Sequence, residues 1–238
     1  MPTIKGARER ARAEITTEIT AEARRQLAVD GPTGLSLRAV ARELGMVSSG
    51  IYRYVANRDE LLTMLIIEAY DALGATVERT VAASTGQPPG DRFVAAAGAV
   101  RQWALANPHE YALVYGSPVP GYAAPVDTIG PASRATLALV GVVVDAHRAG
   151  SIDPSPTMPG PVPDALRADL DRARAALDVE LPDDLLVRVL AAWTQLFGLV
   201  SFELFGQTAN VVEAHDALLD ATATAMARLI GLPRSPSR

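Results

Sequence analysis

Apolar residues recur every three to four positions along most of the chain, which is the period of an amphipathic α-helix. No segment alternates convincingly with the period of two that marks a half-buried strand. We therefore predict an all-α fold with helices over residues 7–29, 37–44, 47–55, 58–83, 91–106, 108–115, 127–148, 164–178, 182–205 and 211–230. Stretches rich in proline and glycine separate several of these helices, and residues 151–163 form a proline-rich linker.

The stretch that begins at Ser36 has the most informative pattern. Ser36 is a favourable N-cap, because its hydroxyl can accept a hydrogen bond from an unpaired N–H in the first helical turn. Apolar residues follow at i, i+3, i+4 and i+7, and Gly45 then predicts the end of the helix because glycine readily adopts a positive φ. A second short helix is predicted next, with an inner face formed by Val47, Ile51 and Val55.

Two short helices joined at a glycine predict a helix-turn-helix, whose second helix lies in the major groove of DNA. We name residues 47–55 the reading segment. Its outer positions carry hydroxyl, phenol and guanidinium groups, which bind phosphates or base edges. An ordinary αα-hairpin with a polar outer face is the alternative interpretation. Directly afterwards, Asn57 and Glu60 have the spacing of a capping box, which predicts a longer helix from Arg58.

This stretch resembles the TetR family of transcriptional regulators. The resemblance extends over roughly fifty residues, from Ala11 to Leu65, and is carried by Leu44-Gly45, Ile51-Tyr52-Arg53-Tyr54-Val55 and Asn57-Arg58-Asp59-Glu60-Leu61-Leu62. Two positions depart from the family pattern. Val47 replaces the usual hydroxyl residue that caps the reading helix, so Ser48 or Ser49 is expected to supply that cap. Val55 replaces a phenylalanine and is expected to thin the small core beneath the motif.

The resemblance implies a regulator that binds double-stranded, palindromic operator DNA, most often as a repressor. The expected DNA-binding residues are Ser36, Arg38, Ser48, Ser49, Tyr52, Arg53, Tyr54 and Arg58. The phenols and Arg58 are expected at phosphates, and the serines and Arg53 at bases or backbone. At the amino end, the possible phosphate contacts are Lys5, Arg8 and Arg12, for which solvated surface charge is the alternative.

We predict a helix-turn-helix DNA-binding domain over 1–57, a helical ligand-sensing and dimerisation domain over 58–231, and a disordered tail over 232–238. The last two long helices carry more apolar surface than one packing partner requires. In TetR-like proteins such helices form a four-helix homodimer interface, and a dimer presents two reading heads to two half-sites. Packing of both helices within their own domain is the alternative.

The C-terminal part is similar to a domain type named for a Trp-His-Gly motif, although Phe197 stands in place of the histidine. Such domains are thought to sense small molecules, and the resemblance implies an unidentified effector. Ligand pockets are mostly apolar with a few polar anchors. The candidate lining residues, each of which is alternatively an ordinary core residue, are Trp103, Tyr111, Tyr115, Tyr122, Trp193 and Phe197.

Composition narrows the possible classes of protein. The chain has 238 residues, a formal net charge of −5 and no cysteine, so we expect no disulfide and no thiolate metal site. Residues 1–60 carry ten basic and eight acidic side chains, whereas the remainder carries twelve and nineteen, so the amino end is the more suitable for phosphate. The longest apolar run is about nine residues, far below a membrane span. A cytoplasmic protein is the expectation.

An enzyme is the main competing class of function. The three histidines are far apart in the sequence, and no Walker loop, dinucleotide fingerprint or nucleophile elbow is present. We therefore expect no catalytic residue, no metal and no cofactor. A helical small-molecule-binding enzyme or an interaction module without specific DNA binding remains the alternative.

Overall fold

The computed structural model describes residues 4–154 and 162–236. Within these ranges the chain forms α-helices and two short 3₁₀ helices, Ile51–Arg53 and Val126–Thr128, and no strand. The predicted all-α fold is confirmed. In chain order the α-helices are α1 Ile4–Gly34, α2 Leu37–Glu43, α3 Arg58–Ala83, α4 Pro89–Ala106, α5 Pro108–Tyr115, α6 Ile129–Arg148, α7 Asp164–Leu177, α8 Asp183–Leu204 and α9 His215–Ile230.

The first helix is longer than the sequence predicts, because the expected turn after Val29 is a kink. Gly31 has φ 67° and ψ 179°, which interrupts the helix, and Pro32 follows inside the next helical turn. Glycine accommodates the positive φ, and proline lacks an N–H that the first turn would leave unpaired in any case. The chain thus bends at Gly31 and remains helical to Gly34.

The start of α2 and the turn after it follow the sequence-based prediction. Ser36 is extended at φ −136°, and its hydroxyl accepts a hydrogen bond from Ala39 N at 3.4 Å. Gly45 has φ +66°, the left-handed conformation that ends the helix. The capping box forms in part: Asn57 Oδ1 accepts from Glu60 N at 2.9 Å, whereas the Glu60 carboxylate accepts from Ala56 N, one residue before the cap.

The predicted α-helix over the reading segment is wrong in type. Its backbone makes tight i to i+3 hydrogen bonds, from Gly50 N to Val47 O at 2.7 Å and from Tyr54 N to Ile51 O at 2.9 Å. No side-chain hydrogen bond caps the 3₁₀ turn, so the expected serine cap is absent there. The turn begins after Gly50 without a side-chain cap, and glycine is the poorest helix former after proline. Both features favour a short 3₁₀ turn over a longer α-helix.

The chain divides into two compact units. The first unit consists of Met1–Tyr70 and Asn107–Pro131, and the second consists of Asp71–Ala106 and Ala132–Arg238. The predicted functional boundary after residue 57 stays a prediction. The core of the first unit is built from α1, α2, the 3₁₀ turn, the first half of α3 and the segment around α5; its fully buried members include Ile19, Val40, Ile51, Val55, Leu61 and Leu62.

Helices α4, α8 and α9 pack together in the second unit, with α6 and α7 beside them. Its apolar core includes Phe93, Val100, Val140, Leu186, Leu196 and Met226. Arg101 is only 9% exposed, and its guanidinium donates from Nε and Nη2 to the Glu203 carboxylate, each at 2.6 Å, and from Nη1 to Asp216. Both apolar packing and ion pairs therefore stabilise the core of the second unit.

The end of the chain differs from the predicted disordered tail over the described residues 232–236. Gly231 turns the chain at φ 93°, and Leu232 is buried. Pro233 O accepts from Gly90 N at 2.9 Å, and Arg234 Nε donates to Asp91 Oδ1 at 2.8 Å. These contacts fasten the tail to the start of α4. Residues 237–238 of the predicted tail and residues 155–161 of the predicted linker lie outside the described residues.

Two segments are long and apolar enough to cross a membrane by length and composition alone, Val126–Arg148 and Asp183–Leu204. Both carry buried core residues, such as Val143 and Leu196. Core helices of soluble proteins commonly meet such criteria, so these segments do not indicate a membrane protein.

Candidate nucleic-acid interface

The reading segment has one buried and one exposed face. Ile51 and Val55 are fully buried in the core of the first unit, as predicted for the inner face. Val47 is 72% exposed, so its predicted place on that face is wrong. Ser48, Ser49 and Arg53 are exposed, and Tyr52 retains 48% of its accessible surface. Because the apolar side chains anchor the segment, its hydroxyl, phenol and guanidinium groups are held outward on a fixed base.

Arg38 and Arg53 are exposed, and among the described residues none forms a hydrogen bond or an ion pair with either side chain. A guanidinium presents a planar set of donors that matches a phosphate or the O6 and N7 acceptors of guanine. These two arginines are therefore available to an external anion or base.

A surface groove of about 390 Å³ joins the start of α2 to the reading segment. Its polar lining comes from Ser36, Arg38, Tyr52, Asn57 and Arg58. The structure thus places four of the eight predicted DNA-binding residues around one groove. Ser36 has an additional structural role there, since its hydroxyl caps α2.

Tyr54 and Arg58 make internal contacts that the sequence does not reveal. Tyr54 is half-buried against the apolar core, and the Arg12 guanidinium carbon lies 5.5 Å from the centroid of its ring. Arg58 Nη2 donates to Pro32 O at 2.6 Å, which ties the start of α3 to the end of α1. Their contacts to phosphate stay a prediction, and both also position the reading segment.

At the amino end, Arg8 and Arg12 are exposed, whereas the side chain of Lys5 lies outside those described. A cation above an aromatic ring is attracted by the negative face of the ring, so Arg12 is oriented by Tyr54. Arg12 is thereby held beside the reading segment, which favours its predicted contact with a phosphate over a purely solvated position.

The six candidate ligand-binding residues are divided between the two units. In the first unit, Tyr111 and Tyr115 stack with their ring centroids 5.0 Å apart, and Tyr115 meets Tyr70 edge to face at 5.9 Å. Burial raises the pKa of Tyr115, with the neighbouring phenols adding to the shift, so this phenol stays neutral. Tyr122 belongs to the same unit.

Trp103, Trp193 and Phe197 belong to the second unit. Trp193 and Phe197 lie 5.6 Å apart between centroids, and Trp193 Nε1 donates to Thr136 Oγ1 at 3.2 Å. Trp193 also borders a small, nearly closed cavity of about 10 Å³, which has room for at most one water molecule. Its lining is entirely apolar: Phe93, Leu139, Val140, Val143, Val189, Trp193 and Leu196.

No group of three or more histidine, cysteine, aspartate or glutamate side chains is arranged to hold a metal ion within the ranges that the structure covers. The acidic residues near arginines form ion pairs, as Glu203 does with Arg101.

Comparison with known proteins agrees with this geometry. Residues 19–65 match the family model described as "Bacterial regulatory proteins, tetR family", a range that contains α2 and the reading segment. Residues 93–226 match a second model, "Tetracyclin repressor-like, C-terminal domain", whose description names no Trp-His-Gly subtype.

Similar proteins cover nearly the full length of the chain. The HTH-type transcriptional regulator Rv1816 of Mycobacterium tuberculosis is 43% identical over 204 residues, which are 85% of this chain and 86% of that protein. The crystal structure of a regulatory protein, SCO4313, shares 35% identity at a TM-score of 0.73 and covers 92% of this chain and 97% of that one. A protein of unknown function from Rhodococcus sp. RHA1 is 25% identical at a TM-score of 0.69, over 91% and 95% of the two chains. This chain belongs to the TetR family of DNA-binding transcriptional regulators.

Proposed function

We propose that this regulator binds its operator chiefly through Arg38, Ser48, Ser49, Tyr52 and Arg53. One observation carries the proposal: Arg53 is exposed and has no partner among the described residues, and it stands on a segment that Ile51 and Val55 anchor in the core. Arg53 lies on the reading segment itself and is the residue proposed to contact a base or its adjoining phosphate. Arg38, at the start of α2, contacts the DNA backbone.

The test is fluorescence anisotropy of Arg53→Gln on DNA from upstream of the protein's own gene, across a salt series. A phosphate contact contributes about 0.9 to the slope of log K against log salt concentration, so its loss reduces the slope by about that amount. Loss of a base contact costs about 1–3 kcal/mol and relaxes specificity at one position. Either result supports a direct role for Arg53.

Arg172→Gln is the matched control, because Arg172 is an exposed arginine of α7, and its side chain is 72% accessible. It should bind DNA with unchanged affinity and an unchanged salt slope. Equal affinity of Arg53→Gln, Arg172→Gln and the unaltered protein at every salt concentration would remove Arg53 from the interface.

We also propose a homodimer formed through α8 and α9. The end of α8 and the loop after it expose large apolar side chains, with Phe202 57% and Val211 81% accessible. Ala221 and Ala225 are exposed on α9, and small residues allow a second helix to approach closely. A two-fold axis of this kind presents two reading heads to a palindromic operator.

Substitution of Ala221 by glutamate tests the proposed interface, because it places a charge and extra volume at the centre of α9. Sedimentation equilibrium should show loss of the dimer, and operator affinity should fall with it. Ala168→Glu, at an exposed alanine of α7, is the control and should remain dimeric. A dimeric Ala221→Glu protein would place the interface elsewhere.

A repressor role with release by a small molecule is proposed by analogy with the family, in which ligand release is typical. We place the effector site at the apolar cavity beside Trp193, closed in the present state. Its lining contains no ionisable side chain, so the buried part of an effector is uncharged and apolar. Binding of an effector in this cavity would require α4, α6 and α8 to move apart.

The effector site is tested with paired probes of similar size, toluene and benzoate. Toluene should raise the thermal midpoint and alter tryptophan fluorescence, whereas benzoate should do neither. Val143→Phe, which fills the cavity, should abolish the toluene response. A response to benzoate, or a toluene response that survives Val143→Phe, would contradict this location.

Members of this regulator family generally lack enzymatic activity, so the enzyme alternative receives no support. Because the proposed partner is operator DNA, the protein is proposed to act in the cytoplasm. The proposed partners are operator DNA, an uncharged apolar effector and a second copy of the chain.

A further inference from the structure

Residues 107–131 form part of the first unit, although they are separated from its other residues by Asp71–Ala106. We name them the insert. The chain leaves the second unit at Ala106 to enter the insert and re-enters that unit at Ala132. The insert is thus covalently joined at both ends to the unit with the proposed effector site, and it clusters with the unit that carries the reading segment.

The insert completes the apolar core beneath the reading segment. Leu113 and Val119 are 8% and 9% exposed, and both belong to the same cluster as Ile51, Val55 and the leucines of α3. Tyr111 is fully buried. Removal of such side chains would expose apolar surface on α1 and α3, so the first unit depends on the insert for its core.

A chain of hydrogen bonds links the insert to the first turns of α3. Thr63 Oγ1 lies 2.8 Å from Asp59 O, to which its hydroxyl donates. Tyr122 Oη lies 2.9 Å from Thr63 Oγ1. Because the Thr63 proton is engaged with Asp59, the Tyr122 hydroxyl is the donor to Thr63. The chain of two hydrogen bonds therefore ends at Asp59, four positions after the reading segment.

Ion pairs reinforce this docking on α1. The Arg24 guanidinium pairs with Glu68 of α3, and its Nε lies 3.8 Å from Glu110 Oε1 of α5. On α3, Tyr70 Oη donates to Val114 O of α5 at 3.2 Å. Two helices of the first unit, α1 and α3, thus converge on α5.

We infer that the insert is a positioning element of the DNA-reading unit, and that the Tyr122–Thr63 hydrogen bond transmits its position to α3 and the reading segment. The inference rests on the proposed function. Neither side chain lies on the outer face of the reading segment, so any effect on operator affinity passes through the placement of α3. Tyr122 acts here as a positioning residue rather than as a ligand contact.

The experiment is a double-mutant cycle in operator affinity, with Tyr122→Phe, Thr63→Val and the double variant. Each single change removes the bond and should weaken operator binding about two- to tenfold, as expected for one hydrogen bond. The double variant should be no weaker than either single variant, because both remove the same interaction. Dimer mass and the thermal midpoint should remain within a few degrees of the unaltered protein.

Thr76→Val is the matched control, since Thr76 lies on the same helix and its hydroxyl makes the same type of bond, to Ala72 O at 2.9 Å. It should bind the operator normally. Normal affinity of both single variants, or effects that multiply in the double variant, would overturn the inference. The Arg53→Gln variant distinguishes the failure of this inference from the failure of the proposed function. If Arg53→Gln still loses operator affinity, the proposed DNA contact stands; if it keeps full affinity, that contact is rejected.

Discussion

A group of arginines in the second unit and one arginine of the first unit, Arg53, are used in opposite ways. In the second unit, Arg101 is bound to Glu203 and Asp216, and Arg134 is bound to Asp71 and Glu78. Arg188 is buried and donates to Asp184 and to Ile230 O. In the first unit, Arg53 stands exposed on the reading segment without an ion pair to any described residue.

This difference teaches that the position of a charge within the fold decides its role. A guanidinium that is paired with carboxylates fixes the helices around it, and most of its N–H donors are already engaged. An exposed guanidinium keeps its donors hydrated, and it can exchange that water for a phosphate when DNA arrives. The net charge of −5 describes neither situation, because it sums both kinds of arginine.

The largest expected effect follows from removal of a buried arginine. Arg101→Ala leaves the Glu203 carboxylate, whose side chain is 13% exposed, without its bidentate partner. Breaking one partner of a buried ion pair costs about 3–5 kcal/mol, so the free energy of unfolding should fall by that amount. Urea denaturation followed by circular dichroism measures it.

Arg53→Ala is the matching substitution in the first unit, and a surface change of this kind alters stability by about 0.5 kcal/mol or less. Arg101→Ala should therefore lose stability, whereas Arg53→Ala should lose DNA binding while it remains folded. Similar losses of stability in both would contradict the division of roles.

A smaller effect is expected from close packing at Gly74 in the second unit. A Cβ at this position would lie 2.5 Å from Cβ of Arg134, so Gly74→Ala must displace α6 or its ion pairs. Overpacking of this kind costs about 1–3 kcal/mol. Thermal unfolding should show a lowered midpoint.

Gly98→Ala is the control within the same unit, because no atom lies within 4 Å of a Cβ placed there. Alanine is favoured over glycine inside a helix by about 1 kcal/mol, so this variant should be as stable as the unaltered protein or more so. Equal destabilisation by the two substitutions would show that close packing at Gly74 is not the cause.

The smallest effect concerns acid stability. A hydrogen bond from Arg134 lowers the pKa of the Glu78 carboxyl, against a smaller opposing effect of burial. A carboxyl whose pKa is lower in the folded state stabilises the fold above its unfolded pKa of about 4.3, and that contribution is lost as the pH falls through the folded pKa. Glu78→Gln should therefore lower the thermal midpoint more at pH 7 than at pH 3.

Glu180→Gln serves as the control for the acid experiment, since Glu180 is exposed and is not ion-paired with any described residue. Its midpoint should follow that of the unaltered protein at both pH values. A difference between Glu78→Gln and the unaltered protein that is as large at pH 3 as at pH 7 would contradict an origin in the Glu78 ion pair.

Local features of the fold were predictable from the sequence because they depend on neighbouring residues. Ser36 caps α2, Gly45 ends it and Asn57 caps α3, each through a contact within three or four positions. The exposed polar face of the reading segment followed from the same short-range periodicity. Its 3₁₀ geometry did not, since a period of three or four residues fits both helix types.

Contacts between distant residues were not predictable in this way. Arg58 donates to Pro32 O across 26 positions, and Tyr122 bonds to Thr63 across 59. Neither pairing leaves a signal in a local pattern. The aromatic residues that the sequence suggested for a ligand pocket are accordingly divided between the two units, and Tyr122 is hydrogen-bonded to Thr63.

Operator binding at physiological salt tests the central claim most directly. Fluorescence anisotropy of the purified protein on upstream DNA and on unrelated DNA of equal length would compare specific with non-specific affinity. We expect specific binding at about 10⁻⁸ M or tighter, at least roughly a thousandfold stronger than on unrelated DNA. Weak and equal binding to both duplexes across all upstream fragments would contradict the account of the reading segment.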